Sequence, residues 1–246
     1  MKCIIMGNGP SLNKIDIQKL KDIDTFSVNK SYLDYKEWDF YPKYYSMIDW
    51  WTIRTIKEEL IDFIKNDDKI EHFFLPLYEV TKGSFDFDRV SYIKGDTRVP
   101  IFKKGQWVDG IPKIIDNLAL LTSIVPFTMQ LAVSLGYTEI GLVGVDARYV
   151  RREDVEQFVE DGESKIRFTS DNDPNHYRKN YCGDGHLTGP EQIKGVSGND
   201  LTTYIIMDAY CKRNGVKIYS CTENSRTHSI YEYKNYIEFI GNPKKD

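Results

Sequence analysis

The sequence predicts an α/β domain built on a mostly parallel, doubly wound sheet. Three observations lead there. Short apolar runs alternate with longer segments of helical period, the pattern of strand–helix–strand units. The first run, Lys2-Cys3-Ile4-Ile5-Met6, passes straight into a turn with two glycines, Gly7-Asn8-Gly9-Pro10-Ser11. Several later runs end in polar residues: Asn29, Asp49, Asp146, and Thr222-Glu223-Asn224.

Each element has its own signal. Residues 2–6 form a buried strand, and the glycine turn followed by a segment ending near Leu20 reads as a helix start. Strand, glycine turn and helix start together make a phosphate site, because glycines let backbone approach a ligand and free N–H groups attract anions. The dinucleotide fingerprint is incomplete, with the third glycine missing and Pro10 in the loop. Asp24–Asn29 and Tyr44–Asp49 read as the next strands. Residues 51–66 carry Ile53, Ile56, Leu60, Ile61 and Ile64 at helical spacing. His72–Pro76 is a strand stopped by proline.

Residues 79–108 show no clear period and read as a loop or small hairpin. Leu118–Leu135 reads as a buried helix with Gly136 at its C′ position, kinked or restarted at Pro126. Thr138–Asp146 is a central strand ending in Gly144-Val145-Asp146. The charged stretch 150–172 has the character of a mobile loop. Residues 199–214 form a helix ended by Gly215, and Val216–Cys221 is a further strand.

At 246 residues the chain fits one large domain with a core that needs neither disulfides nor metal. Its net charge of −4 gives no footprint for a nucleic-acid partner. The 17 Tyr and 12 Phe suit a cleft that stacks rings or sugars. Cys3, Cys182, Cys211 and Cys221 lack metal-ligand spacing, and Cys3 and Cys211 read as small buried hydrophobes. No signal peptide precedes the first strand and no apolar stretch is long enough to span a membrane. A cytoplasmic protein is therefore expected. The tail Asn242-Pro243-Lys244-Lys245-Asp246 allows attachment at the inner face of the membrane, and Trp50-Trp51 offers an edge for a homo-oligomer.

In a doubly wound sheet, ligands bind beyond the carboxyl ends of the strands. Asn8, Asn29, Asp49, Asp146 and Thr222-Glu223-Asn224 fall there, and such residues hydrogen-bond a base and ribose. Each alone is also an ordinary helix or turn cap.

The order of motifs resembles the bacterial sialyltransferases of glycosyltransferase family 42 and their relatives, the flagellin-modifying Maf glycosyltransferases and MptE-like pterin diphosphokinases. The series runs Gly7-Asn8-Gly9-Pro10-Ser11-Leu12, Val28-Asn29-Lys30-Ser31-Tyr32, and Tyr44–Asp49. It continues through Thr122-Ser123, Leu135–Ile140, Gly144-Val145-Asp146, Asp173-Pro174-Asn175-His176-Tyr177 and Tyr181–Gly185. The resemblance spans nearly the whole chain and implies one Rossmann-like, GT-A-type domain over residues 1–246 with a lid at 150–172. It implies a CMP-sugar donor held by Gly7, Asn8, Gly9, Pro10 and Ser11, by Asn29 and Asp49 (the latter a departure from Asn), and by Thr122, Ser123, Gly144 and Asp146.

Inverting glycosyl transfer needs a base for the acceptor hydroxyl and donors for the leaving phosphate. The resemblance places the catalytic histidine at Asn180 when counted without gaps, so His176 is the nearest candidate and His186 the second. Tyr177 and Tyr181 are implied as phosphate donors. His72 and His228 read as structural. Asp86-Phe87-Asp88 is formally a metal-binding Asp-x-Asp element, but it lies in an irregular stretch. CMP carries one phosphate and can leave without metal, so no cofactor is expected, a divalent metal being the less favoured alternative. The reading is a glycosyltransferase moving a sialic acid-like sugar onto a bacterial surface glycan or glycoprotein. The alternatives are a Mg²⁺-dependent pterin diphosphokinase, using Lys30, Arg148 and Arg178 on its phosphates, and a non-catalytic nucleotide- or glycan-binding domain.

Overall fold

A computed structural model describes residues 1–77, 81–96, 114–119, 123–160, 162–188 and 201–241. Among the described residues nine parallel strands form the main sheet: β1 (Lys2–Met6), β2 (Asp24–Val28), β3 (Tyr44–Ser46), β4 (His72–Pro76), β5 (Val90–Asp96), β6 (Ile114–Ala119), β7 (Glu139–Val143), β11 (Lys217–Ser220) and β12 (Glu232–Tyr233). Their order is β12-β11-β7-β1-β2-β3-β4-β5-β6. The chain steps outward from β1 to β6 and then returns to β7 on the other side of β1. The strand order therefore reverses between β1 and β7, where this class of sheet opens a crevice.

Both faces of the sheet are covered, as the unbroken apolar runs require. Cys3 and Ile5 of β1, Phe26 of β2 and Phe74 of β4 point to one face. They pack against the helices α4 (Ile124–Ser134) and α5 (Thr202–Arg213). Ile4 and Met6 point the other way, onto Leu12, Leu20 and Phe239 of the short helix α6 (Tyr236–Ile240). Farther along, Tyr45, Phe73 and Leu75 meet Leu60 and Ile64 of helix α3 (Lys57–Asn66). Four-residue α1 (Tyr35–Trp38) and six-residue α2 (Trp50–Thr55) are the other α-helices among the described residues.

The doubly wound fold is as expected, and the differences are local. No α-helix follows the glycine turn; two 3-10 turns, Pro10–Lys14 and Ile17–Leu20, take its place. Their apolar Leu12 and Leu20 are one-turn anchors that do not continue at helical spacing. The helix over 51–66 is broken at Ile56 (φ −109°, ψ 22°) into α2 and α3. Part of the 79–108 segment, read as irregular, is parallel strand β5. The helix expected from Leu118 begins at Ile124, and Leu118 and Ala119 belong to β6. Pro126 sits in the first turn of α4, where its missing N–H has no intrahelical partner to lose, so it makes no kink. Gly136, at φ +84°, closes α4 as expected, with Gly136 N–H on Val133 O and Tyr137 N–H on Ala132 O.

The charged stretch 150–172 is not a loop. It contains an antiparallel hairpin, β8 (Val155–Glu160) and β9 (Glu163–Phe168), extended by β10 (Leu187–Thr188) into a three-stranded sheet. Ile166 and Phe168 turn inward while Glu156 and Arg167 face solvent as a cross-strand ion pair. No helix among the described residues is long and apolar enough to cross a membrane. The tail from 242 onward lies outside the described residues.

Candidate active site

At the switch point the ends of β1 and β7 press against each other. Gly7 N–H donates to Val143 O and Gly9 N–H to Gly144 O, each at 2.8 Å. A Cβ at Gly7 would lie 2.6 Å from Gly144 O, and one at Gly9 would lie 2.0 Å from Asp146 Oδ2. Gly144 is at φ +65° with Gly7 O 2.4 Å from where its Cβ would be. These glycines are thus needed for the approach of two chain segments. The turn's N–H groups are engaged within the protein too: Leu12 N–H reaches Gly9 O, and Ser11 donates to Asp146 Oδ2 through both N–H (3.2 Å) and hydroxyl (2.7 Å). A protein carboxylate sits where a dinucleotide fold would seat phosphate.

Around this junction a cleft opens at the carboxyl ends of β1, β2 and β7. Gly7, Asn8, Gly9, Asn29, Ser123, Gly144, Asp146, His176 and Tyr181 line it, bringing together nine of the residues singled out from sequence. Pro10 and Ser11 form the first turn behind Gly9, Ser11 reaching the cleft through Asp146. Thr122 lies outside the described residues.

Among the described residues, two acceptors in this cleft are unmatched. Asn8 Nδ2 donates to Val28 O (2.8 Å) and to Tyr181 Oη (2.6 Å), which fixes the amide and leaves Asn8 Oδ1 buried with no partner. Asn29 Oδ1 is likewise buried and unpaired. Asn29 is in the left-handed region at φ 49°, a conformation Asn tolerates, and Tyr45 Oη holds its carbonyl at 2.6 Å. A buried acceptor without a partner is costly, so the pair describes a ligand with N–H or O–H donors.

His176 is held on three sides. Its Nδ1 is 2.7 Å from Asp173 Oδ2, its ring stacks on Tyr181 at 4.0 Å and 13°, and Tyr149 meets it edge-on at 6.1 Å. Asp173 is buried, which by itself would favour the neutral acid. The bond to His176 and the N–H groups of Asn175 and Cys182 outweigh burial and hold its carboxyl below the usual range. Tyr181 Oη accepts from Asn8 Nδ2 and from Lys30 N–H (3.0 Å), so its proton is left to donate. Burial pushes the Tyr181 phenol well up, so it stays protonated at neutral pH.

Other sequence-derived candidates lie elsewhere. Asp49 is the N-cap of α2, accepting from Thr52 N–H at 3.0 Å, and does not line the cleft. Tyr177 gives its backbone N–H to Asn8 O, but its ring turns away onto Trp38 at 5.2 Å. Its hydroxyl is buried, with burial and the Asp34 carboxylate raising its pKa. His186 stacks on Phe168 and is absent from the cleft lining; burial and the charge of Lys30 push it down to about 4. Asp86 and Asp88 are exposed ahead of β5 and away from the cleft. His72 bonds Ser91 Oγ at 2.7 Å and His228 bonds Thr222 O at 2.8 Å, both structural as expected. Thr222 Oγ1 in turn accepts from Val145 N–H, bracing the β7 loop.

Sequence reasoning assigned no role to Tyr149, Asn175 and Tyr204, and gave Arg148 only as a phosphate ligand of the diphosphokinase alternative; all four line the cleft. Asn175 clamps Val150 through both its backbone groups, at 2.7 and 2.8 Å, so it shapes the wall that carries Arg148. The motif Asp173-Pro174-Asn175-His176 held that signal: an Asp two residues before a turn N–H makes an Asx turn. Asp173, His176 and Cys182 also bring ligand atoms within 4.8 Å of one another. Arg152 Nη1 lies 3.9 Å from Asp173 Oδ2, however, and burial followed by the Asp173 charge pushes the Cys182 thiol up to about 12. A cation there would have to displace the thiol proton and would face the Arg152 guanidinium.

No family model matches the chain, and no curated protein matches it either. Solved structures do share its fold. The sialyltransferase CstII of Campylobacter jejuni, in complex with the substrate analogue CMP-3FNeuAc, matches with TM-score 0.51 and 18% identity over 94% of this chain and 85% of that one. A CstII variant in complex with CMP matches with TM-score 0.54 and 17% identity over 95% and 86%. Monomeric CstII matches with TM-score 0.52 at the same identity and coverage. The Rossmann-like, GT-A-type architecture expected from sequence is therefore the fold of this chain.

Proposed function

We propose that the chain is a glycosyltransferase of the sialyltransferase kind, moving a sugar from a CMP-activated donor to a glycan hydroxyl. The observation that carries this reading is the convergence of Asn8 Oδ1 and Asn29 Oδ1, both unpaired, with His176 in one cleft at the switch point. The fold, known from an enzyme solved with a CMP-sugar analogue, supports it.

The unpaired asparagine oxygens and Asp146 accept hydrogen bonds from the donor's base amine and ribose hydroxyls. Tyr181 Oη and Arg148 take the phosphate, whose charge grows as the glycosidic C–O bond breaks. The acceptor oxygen attacks the anomeric carbon from the opposite side. His176 takes its proton, CMP leaves with the bonding electrons, and the configuration inverts. The donor sugar is a sialic acid-like nonulosonic acid and the acceptor a bacterial surface glycan or glycoprotein, with transfer at the cytoplasmic face.

The diphosphokinase alternative is not favoured. It needs several cations free for three phosphates. Arg178 is paired with Asp34, and Lys30 Nζ is bound to Tyr181 O. Asp146 occupies the glycine turn that would cradle a triphosphate.

Calorimetry with CMP, UMP and ATP, each with and without Mg²⁺, tests the reading. Metal-independent CMP binding is expected, together with transfer from a CMP-sugar that His176→Ala abolishes while CMP affinity stays within about tenfold. Mg²⁺-dependent ATP binding, or no nucleotide binding, would overturn it.

A further inference from the structure

The cleft histidine is the end of a longer chain of contacts. Asp173 accepts three N–H-type contacts on two oxygens: Asn175 N–H on Oδ1 at 2.9 Å, and Cys182 N–H (3.0 Å) and His176 Nδ1 (2.7 Å) on Oδ2. Behind it stands Arg152, itself buried, with Nη1 on Cys182 O at 2.5 Å, Nη2 on Ser170 O at 2.8 Å, and the Asp154 carboxylate as partner. Every neighbour of Asp173 named here is a donor or a cation.

That environment decides a proton position. A carboxylate surrounded by N–H groups and a guanidinium carries no proton of its own to offer. The atom facing it from His176 must then be Nδ1–H, because a ring lone pair at 2.7 Å from a carboxylate oxygen would be repelled. The neutral imidazole consequently has its free lone pair on Nε2, the nitrogen left for a molecule in the cleft. Stacking on Tyr181 and the edge contact from Tyr149 restrict ring flipping, which would exchange the two nitrogens.

We propose that Asp173 is a positioning residue that fixes His176 as its Nδ1–H tautomer and so presents Nε2 to the acceptor hydroxyl, with Arg152 holding Asp173 in place. The catalytic consequence rests on the transferase reading above; the tautomer does not. The groups that face His176 and bear on the outcome are Asp173, Tyr181, Tyr149 and, through charge, His186 and Arg152.

Nitrogen-15 spectroscopy of the imidazole in the full chain tests the assignment. With the ring neutral, the wild type is expected to show a protonated Nδ1 and a bare Nε2 at His176. A protonated Nε2 would overturn the proposal without any variant, so it stands or falls even if a substitution fails to fold. Asp173→Asn should invert or mix the tautomers, because the amide can donate to Nδ1. It should also lower kcat by roughly a hundredfold or more, with the KM for donor within about threefold, as loss of an oriented base requires. An unchanged tautomer and kcat in Asp173→Asn, or losses in KM matching those in kcat, would overturn it. Absence of transfer by the wild type would sink the transferase reading, while the wild-type spectrum would still decide the tautomer.

Discussion

The Asp146 carboxylate reaches across the switch point to Ser11, taking its hydroxyl at 2.7 Å and its backbone N–H at 3.2 Å. The contact joins the loop after β7 to the turn after β1, 135 residues apart in the chain. It puts negative charge where a dinucleotide fold presents N–H groups to phosphate. A group there is complementary to hydroxyls and amines, and repels anions.

Asp146→Asn keeps the shape and removes the charge. Hydrogen bonds to charged groups contribute roughly 1.5–3 kcal/mol, so CMP affinity is expected to fall about tenfold to a hundredfold. Titration calorimetry checks this. Tighter CMP binding in the variant would mean that the phosphate, and not the ribose, lies beside residue 146.

The Gly7–Gly144 crossing predicts a stability difference between two glycines of similar backbone. Gly83 and Gly144 both have positive φ, 71° and 65°, but open space surrounds Gly83 while Gly7 O stands 2.4 Å from the Cβ position at Gly144. Gly83→Ala should cost about 1 kcal/mol through backbone conformation alone. Gly144→Ala should cost roughly 3 kcal/mol or more, since neither backbone segment can yield without breaking the paired N–H bonds. Urea unfolding midpoints compare them directly.

What sequence made legible follows the range of each signal. Buried parallel strands such as Ile4-Ile5-Met6 and Phe73-Phe74-Leu75 announce themselves within a few residues, because both faces are covered. Asn8, Asn29 and Asp146 were legible as strand ends for the same reason. Strand β5 was not, since Val90-Ser91-Tyr92-Ile93 is a short run behind charged residues. The hairpin was hidden because its charged residues alternate with Ile166 and Phe168, so composition suggests a loop while the period of two indicates a strand. The dual nature of the glycine turn could not be read locally at all: its demand for glycine comes from Gly144 and Asp146, more than a hundred residues downstream. Asp49 shows the converse, a polar strand end that is an ordinary helix cap.

One buried and one half-buried histidine, His72 and His186, predict the acid limb of stability. Burial, then the charge of Arg89, lowers His72 from 6.5 to about 4; burial, then Lys30, does the same for His186. Both are neutral in the fold between about pH 6.5 and 4, while the unfolded chain takes up their protons. With more protons bound in the unfolded state, stability rises with pH through this window. Acidifying from about pH 6.5 to 4 should therefore progressively destabilise the protein. His72→Gln, which preserves a partner for Ser91, should flatten that slope in urea unfolding at several pH values. An equal slope in the variant would show that His72 titrates normally.

The hairpin within 150–172, the stretch that the sequence resemblance implies to be a lid, makes the last prediction. Its root is Arg152, whose guanidinium lies 4.0 Å over the Phe168 ring and binds Asp154, Ser170 O and Cys182 O, tying β8 and β9 to the segment that carries His176. A closed lid would need such an anchor, and an open one would have to release it. Removing one partner of a buried ion pair costs roughly 3 kcal/mol. If that loss falls on local opening, the open population rises about a hundredfold or more. Arg152→Met retains much of the packing on Phe168 and should greatly accelerate proteolysis between residues 150 and 172. In the wild type, saturating CMP-sugar analogue should slow the same cleavage, because a ligand that binds only the closed form draws population to it. Cleavage that is fast in the variant but indifferent to donor in the wild type would make the hairpin a fixed part of the fold, and would sink its role as a lid.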